Sequence, residues 1–486
     1  MQLSRTTIAK EPLLVSGDPA FHPGMESSAA KGCQRSRWKW GIRTRQHGPD
    51  SIHSWLVAGA CALTSCFAMA GRRSSGILFV AMQETFRTNK SDGSWPIMVM
   101  GAVIYLAGLI TGPVAHRFTA RPVIIAGAAT AGIGASVSYF ATSIGFMTFT
   151  LGVVHAIGSG MVFIVAPTVI NEHFVKHKGL ATGLTYTGVT MSTLFFPKLL
   201  EYLTGAYGLR GSLLIFGAVL MNGLAFALFP RTPSWRNNST ETEKIAENTP
   251  VSSNEGNRRT LHYGFTIFKE PIFYVIMYSF NAFSLVFDCY VALFVDFAID
   301  RGLPVSTAVT MSSAEAVAEI AGRLMVPVAV DHRLIGNKAV MLLLLGAEGV
   351  LLILVPVMPT PWLIFAAALG IAFLVGIGMV LFPMIIASYF GRERLSMSFG
   401  MVIASAGLLS FMKPSLLGYF RDKHGAYDWL FIICGSLSLV GTAMWVLVLS
   451  LEARHKKMKI QTADLPNNTI ITAECRSSIK HQAGTQ

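Results

Sequence analysis

The sequence has little charge for its length. Only 13% of its 486 residues are Asp, Glu, Lys or Arg, whereas 52% are hydrophobic, and the mean hydropathy is +0.52. Soluble globular domains contain about 25% charged residues. The shortage of charge therefore excludes an ordinary soluble domain and indicates an integral membrane protein.

The chain also lacks the short motifs of common enzyme classes. It has no GxxxxGK[ST] phosphate loop, which argues against an ATP-driven pump. It has no HExxH motif, no Cys/His ligand cluster and no GxSxG elbow, and its six cysteines show neither CxxC spacing nor a disulfide framework. We predict a protein that is not an enzyme and needs neither a cofactor nor a metal.

Basic residues outnumber acidic ones, and their distribution is uneven. The net charge is +13, and Lys and Arg gather in the tails and in short connections between apolar runs. They do not form one stripe with interleaved aromatic residues, which would be typical of a nucleic-acid site. This distribution predicts contact with anionic membrane lipid and no nucleic-acid partner.

Long apolar runs make up most of the chain. A helix needs roughly 20 apolar residues to cross a bilayer core about 30 Å thick. The sequence therefore predicts an all-α membrane protein with twelve transmembrane helices in two sets of six. The predicted spans lie near residues 54–84, 95–116, 122–142, 146–170, 180–205, 211–230, 271–298, 306–330, 338–358, 361–388, 395–419 and 428–450.

A polar stretch separates the two sets of spans. It contains NNSTETEKIAENTPVSSNEGNRR, which has no helical periodicity and is typical of a disordered linker. The predicted organisation therefore has five parts. In chain order they are an N-terminal tail (1–53), a six-helix bundle (54–230), a linker (231–270), a second six-helix bundle (271–450) and a C-terminal tail (451–486).

The positions of Lys and Arg predict the orientation in the membrane. The second, fourth, eighth and tenth connections and both tails are rich in these residues, whereas the third and ninth connections have none. Cytoplasmic connections carry an excess of Lys and Arg. We therefore expect both termini and the linker to be cytoplasmic. The basic connections read HRFTAR, EHFVKHK, DHRLIGNK and GRER.

The two halves of the chain resemble each other at a constant offset of 216 residues. The tripeptide Pro-Val-Ala at 113–115 recurs at 327–329, and His173-Phe174 recurs as Tyr389-Phe390. A parallel repeat of six helices is the signature of a transporter architecture with a central site between two bundles. A secondary carrier is therefore the function that the chain's organisation favours.

Two ionisable residues in the eighth span have no counterpart in the repeat. Glu319 and Arg323 are four residues apart, so they share one helix face and can pair. Charged residues inside a membrane span usually face a cavity or a partner. One interpretation is a structural ion pair. The other is an anion-binding Arg323 whose charge is balanced by a protonatable Glu319.

A second asymmetric pair lies in the first span. Arg72 and Arg73 correspond to Asp288 and Cys289 in the seventh span. Adjacent residues are about 100° apart around a helix, so we expect at most one arginine to point into a central cavity. We predict that Arg73 faces the cavity and that Arg72 supports the fold, with snorkelling to the outer interface as the alternative. Asp288 is the candidate ion-pair partner of the inward-facing arginine.

The segment NEHFVKHKGLATGLTYTG at 171–188 combines an aromatic residue, basic residues and a Leu-Ala-x-Gly stretch. This segment resembles the monocarboxylate transporter family, within the major facilitator superfamily, and the resemblance spans about residues 49–450. Segments 207–223 and 414–435 also resemble the family. The resemblance implies the major facilitator fold and a plasma-membrane carrier of small monocarboxylates. It also implies a candidate partner, a single-span ancillary glycoprotein.

The resemblance assigns roles to four residues. Arg323 and Glu319 fall where the family has an arginine and an aspartate in helix eight, which implies that Arg323 grips the substrate carboxylate and Glu319 links it to a proton. Arg73 falls where lactate carriers have a lysine in helix one. Phe382 falls where an aromatic residue narrows the family's substrate site.

Two departures from the family leave other functions open. The entry motif keeps only its ends in residues 49–55, and Arg73 cannot deprotonate as a lysine can. A proton-independent facilitative carrier of a bulkier substrate is therefore one alternative, such as an aromatic amino acid, hormone or creatine-like compound. A scaffold or sensor without transport activity is the other.

The predicted orientation can be tested by glycosylation. Asn89-Lys90-Ser91 is an acceptor sequence in the first external connection, whereas Asn238-Ser239-Thr240 lies in the predicted cytoplasmic linker. We expect no glycan on Asn238 when the protein is digested with an amidase and examined by gel mobility, with Asn238→Gln as the control. A glycan on Asn238 would show that the linker is external and would contradict the predicted orientation.

Overall fold

The computed structural model describes residues 48–231, 266–302, 305–412 and 427–463. Most of the predicted linker, most of both tails and the acceptor Asn238 lie outside the described residues. So does most of the family-like segment at 414–435.

The first half of the chain is built from consecutive helices joined by very short connections. Their hydrophobic composition suits a membrane, because a helix satisfies its own backbone hydrogen bonds there. The helices are α1 (Ile52–Arg73), α2 (Ser75–Phe86), α3 (Lys90–Leu106), α4 (Gly108–Phe118), α5 (Ala120–Val137), α6 (Ile144–Met147), a π-helical stretch (Thr148–His155), α7 (Ala156–His173), α8 (Lys178–Leu220) and α9 (Asn222–Ala227).

The second half repeats this arrangement with longer helices. Its elements are α10 (Pro271–Asp300), α11 (Val305–Asp331), α12 (Asn337–Leu354), α13 (Pro361–Ser410) and α14 (Asp428–Ala463). Short 3-10 turns precede α10 and follow α12. All twelve predicted spans overlap these helices, although residues 413–419 of the eleventh lie outside the described residues, and the predicted fold class is confirmed.

Two long helices each contain two predicted spans. Helix α8 is broken at Gly208, where φ is +64°, and α13 is broken at Gly391, where φ is +78°. A residue with a side chain is strained at such angles, so glycine permits the chain to turn there without a loop. Span five is therefore followed directly by span six, and span ten by span eleven.

Nine helices in the described ranges are long and apolar enough to cross a membrane. One of them, Lys178–Ala227, has 50 residues and contains two predicted spans. The remaining two predicted spans are α11, which carries several charged side chains, and the shorter apolar segment Arg394–Ser410. Nine helices are counted among the described residues instead of twelve because one helix contains two spans, one is charged and one is short. The positions of the predicted spans agree with the helices.

The first predicted span is interrupted, which the sequence did not predict. Helix α1 ends at Arg73, Ser74 leaves helical geometry with ψ of 12°, and α2 begins at Ser75. Arg72 and Arg73 thus occupy the last turn of α1. Cations at this end of a helix interact favourably with the helix dipole.

The two halves of the repeat meet through glycines. A Cβ atom on Gly183 of α8 would clash with the carbonyl oxygen of Arg323, and one on Gly400 of α13 would clash with that of Gly108. Adding 216 to 183 gives 399, and subtracting 216 from 323 gives 107, so the two contacts match within one residue. The interface between the halves therefore follows the 216-residue repeat, and glycine lets the helix backbones come into direct contact there.

One end of the molecule, which we call the basic end, consists of residues 171–178, 330–337 and 384–388. These residues line a cavity of about 930 Å³. The two halves are hydrogen-bonded to each other at this end. The Asp331 carboxylate accepts hydrogen bonds from the backbone N–H groups of Gly179 (3.0 Å) and Leu180 (2.9 Å).

The retained ends of the entry motif both contact the connection between α7 and α8. The Asp50 carboxylate accepts hydrogen bonds of 3.1–3.3 Å from the backbone N–H groups of residues 175–177. Burial acts to raise the pKa of Asp50, but these N–H groups hold the pKa below its ordinary value. Trp55 packs edge-on against Phe174, with the ring centroids 5.0 Å apart. The incomplete motif therefore still anchors α1 at the basic end.

The glycine contact can be tested with a matched pair of substitutions. Gly183→Ala should lower the thermal unfolding midpoint, because overpacking a close interface costs about 1–3 kcal/mol. Gly205→Ala is the control, since no atom lies within 4 Å of its added Cβ, and alanine in an exposed helix position should raise the midpoint slightly. Equal midpoints for both variants, measured in detergent, would contradict the close contact.

Candidate functional site

A cavity of about 150 Å³ lies between the two halves of the repeat. Helices from both halves form its wall, which is the placement that the repeat predicts for a substrate site. Both arginines of the first span and the arginine of the eighth line it. The lining residues are Met69, Arg72, Arg73, Ser75, Gly101, Ile104, Tyr105, Phe163, Tyr186, Val189, Thr193, Phe287, Arg323 and Met379.

Arg323 is the most completely buried charge of the cavity, with 1% of its side chain exposed. Its Nη1 donates hydrogen bonds to the Tyr186 carbonyl oxygen and the Thr190 hydroxyl on α8, and its Nη2 donates to the Glu319 carboxylate. The pairing with Glu319 is the one that the four-residue spacing predicts. Arg323 also bonds α11 to α8, and thereby joins the two halves.

Glu319 lies between two arginines. The Oε1 atom that accepts from Arg323 is also 3.6 Å from Nη2 of Arg73, which comes from α1. Arg73 lies over the Phe287 ring as well, with its guanidinium carbon 5.7 Å from the ring centroid. The cavity therefore brings Arg73, Glu319 and Arg323 together, as the resemblance implied.

Arg72 forms the second ion pair of the cavity. Its Nη2 is 3.6 Å from Oδ1 of Asp288 on α10. The expectation that at most one of the adjacent arginines faces the cavity is wrong, since Arg72 and Arg73 both line it. The reason is that α1 ends at Arg73, so two long side chains in its last turn reach different carboxylates. Asp288 pairs with Arg72 and not with the arginine expected to face inward.

The formal charges of the residues that form the cavity's ion pairs do not cancel. Three arginines contribute +3, and Glu319 and Asp288 contribute −2, which leaves +1. An uncompensated charge in a low-dielectric region is costly and strongly attracts an opposite one. The cavity is therefore suited to a single negative charge.

Three polar atoms of lining residues are buried without a hydrogen-bond partner in the described part of the chain. They are the Tyr186 hydroxyl, the Thr193 hydroxyl and Nε of Arg323. Buried polar groups are normally satisfied, so a set of unsatisfied donors indicates a ligand or water that completes them. Each of the three can donate to a carboxylate oxygen.

Sequence reasoning missed several residues of the site. Tyr105 shares a hydrogen bond with Ser284 across the two halves, and Tyr186, Thr190 and Phe287 contact the arginines. These are neutral residues in apolar helices, where aromatic and hydroxyl side chains are common. The sequence signal that identified the other site residues was a charge at a position where the repeat is broken. These neutral residues give no such signal.

Phe382 does not line the cavity in this conformation. It is fully buried, and its ring packs against Phe280 and Phe283 at centroid distances of 5.1 and 5.3 Å. Phe287 and Met379 are the apolar side chains that the second half of the chain contributes to the cavity. Substrate contact by Phe382 stays a prediction.

His155, in the glycine-rich stretch HAIGSG, packs between helices. Its Nδ1 is 2.8 Å from the Ala131 carbonyl oxygen, and its Nε2 is 3.4 Å from the Ser159 hydroxyl. A Cβ atom on Gly71 would clash with the ring. The residue therefore fills a structural position away from the cavity lining.

The family model for the Major Facilitator Superfamily matches residues 61–334 and 316–482, which together cover most of the chain. A similar curated protein is monocarboxylate transporter 2 of Homo sapiens, 24% identical over 419 residues that cover 82% of this chain and 86% of that protein. Monocarboxylate transporter 12 of Homo sapiens is 23% identical over 433 residues, covering 85% and 83%.

A solved structure with a similar fold is that of the proton:xylose symporter XylE bound to 6-bromo-6-deoxy-D-glucose. It superposes with a TM-score of 0.62 at 15% identity, and covers 82% of this chain and 95% of XylE. At this identity the likeness shows the fold alone. The relatives found by sequence are transporters and not enzymes, which confirms that the predicted protein class is correct.

The role of Glu319 in balancing the arginines can be tested by stability. Glu319→Gln removes the negative charge between Arg73 and Arg323, and breaking such a buried pair costs about 3–5 kcal/mol. We expect a clearly lower thermal unfolding midpoint in detergent. Glu201→Gln, at an exposed position, is the control. An unchanged midpoint for Glu319→Gln would show that the carboxylate does not hold the two arginines.

Proposed function

Because the chain belongs to the major facilitator superfamily, we propose that it is a proton-linked secondary transporter of small monocarboxylates such as lactate or pyruvate. It acts at the plasma membrane by alternating access, in which the two halves rock about the central cavity. Arg323 binds the substrate carboxylate, and Arg73 contributes a second positive charge from the opposite half.

The observation that carries the proposal is the unmatched positive charge of the cavity. Three arginines face two carboxylates, which leaves room for one monoanion. The unsatisfied donors of Tyr186, Thr193 and Arg323 suit the oxygens of that anion. The names of the relatives, monocarboxylate transporters 2 and 12, agree with this chemistry.

The size of the cavity favours a small substrate over the bulkier alternative. Its volume of about 150 Å³ is below the roughly 300–1,000 Å³ of sites for drug-sized ligands. An aromatic amino acid or hormone would need the cavity to widen. A compact acid with one carboxylate fits the present geometry better.

Substrate binding is coupled to the interface between the halves. Arg323 is engaged by Glu319 on its own helix and by Tyr186 and Thr190 on α8. A carboxylate that binds this guanidinium competes with those partners, and so changes the bonds that join α11 to α8. Differential contacts of this kind are what a ligand needs in order to shift a conformational equilibrium.

The orientation and the partners remain parts of the proposal. The basic end faces the cytoplasm if Lys and Arg follow the usual bias, and the cavity is then separated from the cytoplasm by the bonds of Asp331 to α8. The single-span ancillary glycoprotein that the resemblance implies stays a prediction.

The proposal is tested by counterflow of radiolabelled L-lactate in proteoliposomes. Arg323→Ala should reduce exchange by about 100-fold, as expected when one partner of a buried charged contact is truncated. Arg323→Lys should also be impaired, because lysine lacks the planar fork that binds a carboxylate through two hydrogen bonds. The exposed Arg210→Ala serves as the control and should exchange normally.

The same assay separates the alternatives. Exchange of an aromatic amino acid or of creatine, without exchange of lactate or pyruvate, would replace the proposed substrate class. No exchange of any compound in such a panel would favour the scaffold or sensor.

A further inference from the structure

A third carboxylate, Glu315, lies one helical turn from Glu319 on α11. The two residues are four positions apart, so their side chains leave the same face of the helix about 6 Å apart along its axis. Glu315 is on the side away from the basic end. Sequence reasoning did not single it out, and none of the ion pairs of the cavity uses it.

Glu319 serves as the counter-charge of two arginines. Two guanidinium groups, those of Arg73 and Arg323, contact one of its oxygens. A proton on Glu319 would remove the counter-charge of both arginines, and an uncompensated buried charge is costly. While both contacts last, Glu319 remains the counter-charge of the arginines.

Glu315 has the opposite surroundings. Among the described residues it makes no ion pair, and its Oε1 atom is buried without a hydrogen-bond partner. The charged group facing it along α11 is Glu319, which repels a second negative charge. A buried, unpaired carboxylate is costly when ionised, and a proton removes that cost.

Tyr290 on α10 provides a hydrogen-bonded contact that suits both protonation states. Its hydroxyl donates to the Ala368 carbonyl oxygen at 3.2 Å and is also within hydrogen-bonding reach of the Glu315 carboxylate. A hydroxyl has one proton to donate. When Glu315 is protonated, its O–H donates to the Tyr290 oxygen and Tyr290 donates to Ala368. When Glu315 is ionised, the Tyr290 hydroxyl turns and donates to it.

The other helices around α11 bring few competing charges. Helix α13 packs against α11 and has no ionisable side chain over residues 361–388. Helix α8 faces α11 with Tyr186 and Thr190, which bind Arg323. Helix α1 reaches α11 through Arg73, which binds Glu319. Among the described side chains, Tyr290 and Glu319 are thus the ionisable groups that act on Glu315.

The charge of the whole site depends on Glu315. With Glu315 ionised, three arginines face three carboxylates and the sum is zero. With Glu315 protonated, the sum is +1. A monoanion is therefore bound more favourably after one proton has been taken up, which gives one proton for each substrate molecule.

We infer that Glu315, hydrogen-bonded to Tyr290, is the group that takes up the coupling proton, and that its protonation uncovers the positive charge to which the monocarboxylate binds. This inference rests on the proposed function. It assigns the proton to Glu315 in place of Glu319, and it makes electroneutral cotransport a consequence of the site's charge balance.

The test uses proteoliposomes containing the full chain, radiolabelled L-lactate and a pH gradient that is acidic outside. A gradient of one pH unit supports about tenfold accumulation of an anion carried with one proton. Glu315→Gln is permanently neutral, so it should lose this accumulation and retain counterflow at equal pH on both sides. Retained counterflow also shows that the variant is folded. Its counterflow rate should be independent of pH.

A second variant tests the hydrogen bond. Tyr290→Phe removes the donor that stabilises ionised Glu315, so the half-maximal pH of lactate uptake should shift upward while counterflow at low pH persists. If the role of Tyr290 were purely structural, the variant would reduce both lactate uptake and counterflow, and the half-maximal pH would not shift. If Glu315→Gln cannot be reconstituted, the pH profile of Tyr290→Phe carries the test. An unshifted profile then overturns the inference.

Outcomes for the proposed function and for this inference differ. If wild-type protein shows no counterflow of lactate, the proposed function fails and the inference fails with it. If the wild type accumulates lactate and Glu315→Gln does so equally, the inference fails and the function stands. Loss of accumulation with retained counterflow in Glu319→Gln alone would return the proton to Glu319.

Discussion

The ion pair of Arg323 with Glu319 lies on α11, where both side chains are largely removed from solvent. Arg323 is almost fully buried, and an uncompensated buried charge costs several kcal/mol. Glu319 compensates it from the same helix, while the Tyr186 carbonyl and the Thr190 hydroxyl accept its other hydrogen bonds from the opposite half. The need to satisfy one guanidinium group therefore ties the two halves of the repeat together beside the cavity.

The close packing of the helices and the balance of charge support each other. Glycines at 183 and 400 let the backbones approach, and this approach brings Tyr186 within reach of Arg323. An anion in the cavity would compete for the same guanidinium group. In the proposed function, occupancy of the cavity and contact between the halves would therefore be linked through shared hydrogen bonds, as alternating access requires.

Much of the site was predictable because an ionisable residue in an apolar run is unusual wherever it occurs. Arg72, Arg73, Asp288, Glu319 and Arg323 all met that criterion, and all of them form ion pairs at the cavity. Glu315 meets it as well and was overlooked. The neutral residues of the site were not predictable, because tyrosine, threonine and phenylalanine are ordinary components of packed membrane helices.

The sequence by itself determined the helical segments, the repeat and the identity of the charges inside the membrane. These properties depend on composition and spacing along one stretch of chain, as does the pairing of Glu319 with Arg323 four residues later. Tertiary structure alone decided that Arg72 pairs with Asp288 and that Arg73 shares Glu319 with Arg323. The partners are more than 200 residues apart in the chain, and the break at Ser74 sets where the two arginine side chains reach. Such contacts depend on distances between packed helices, which no local pattern records.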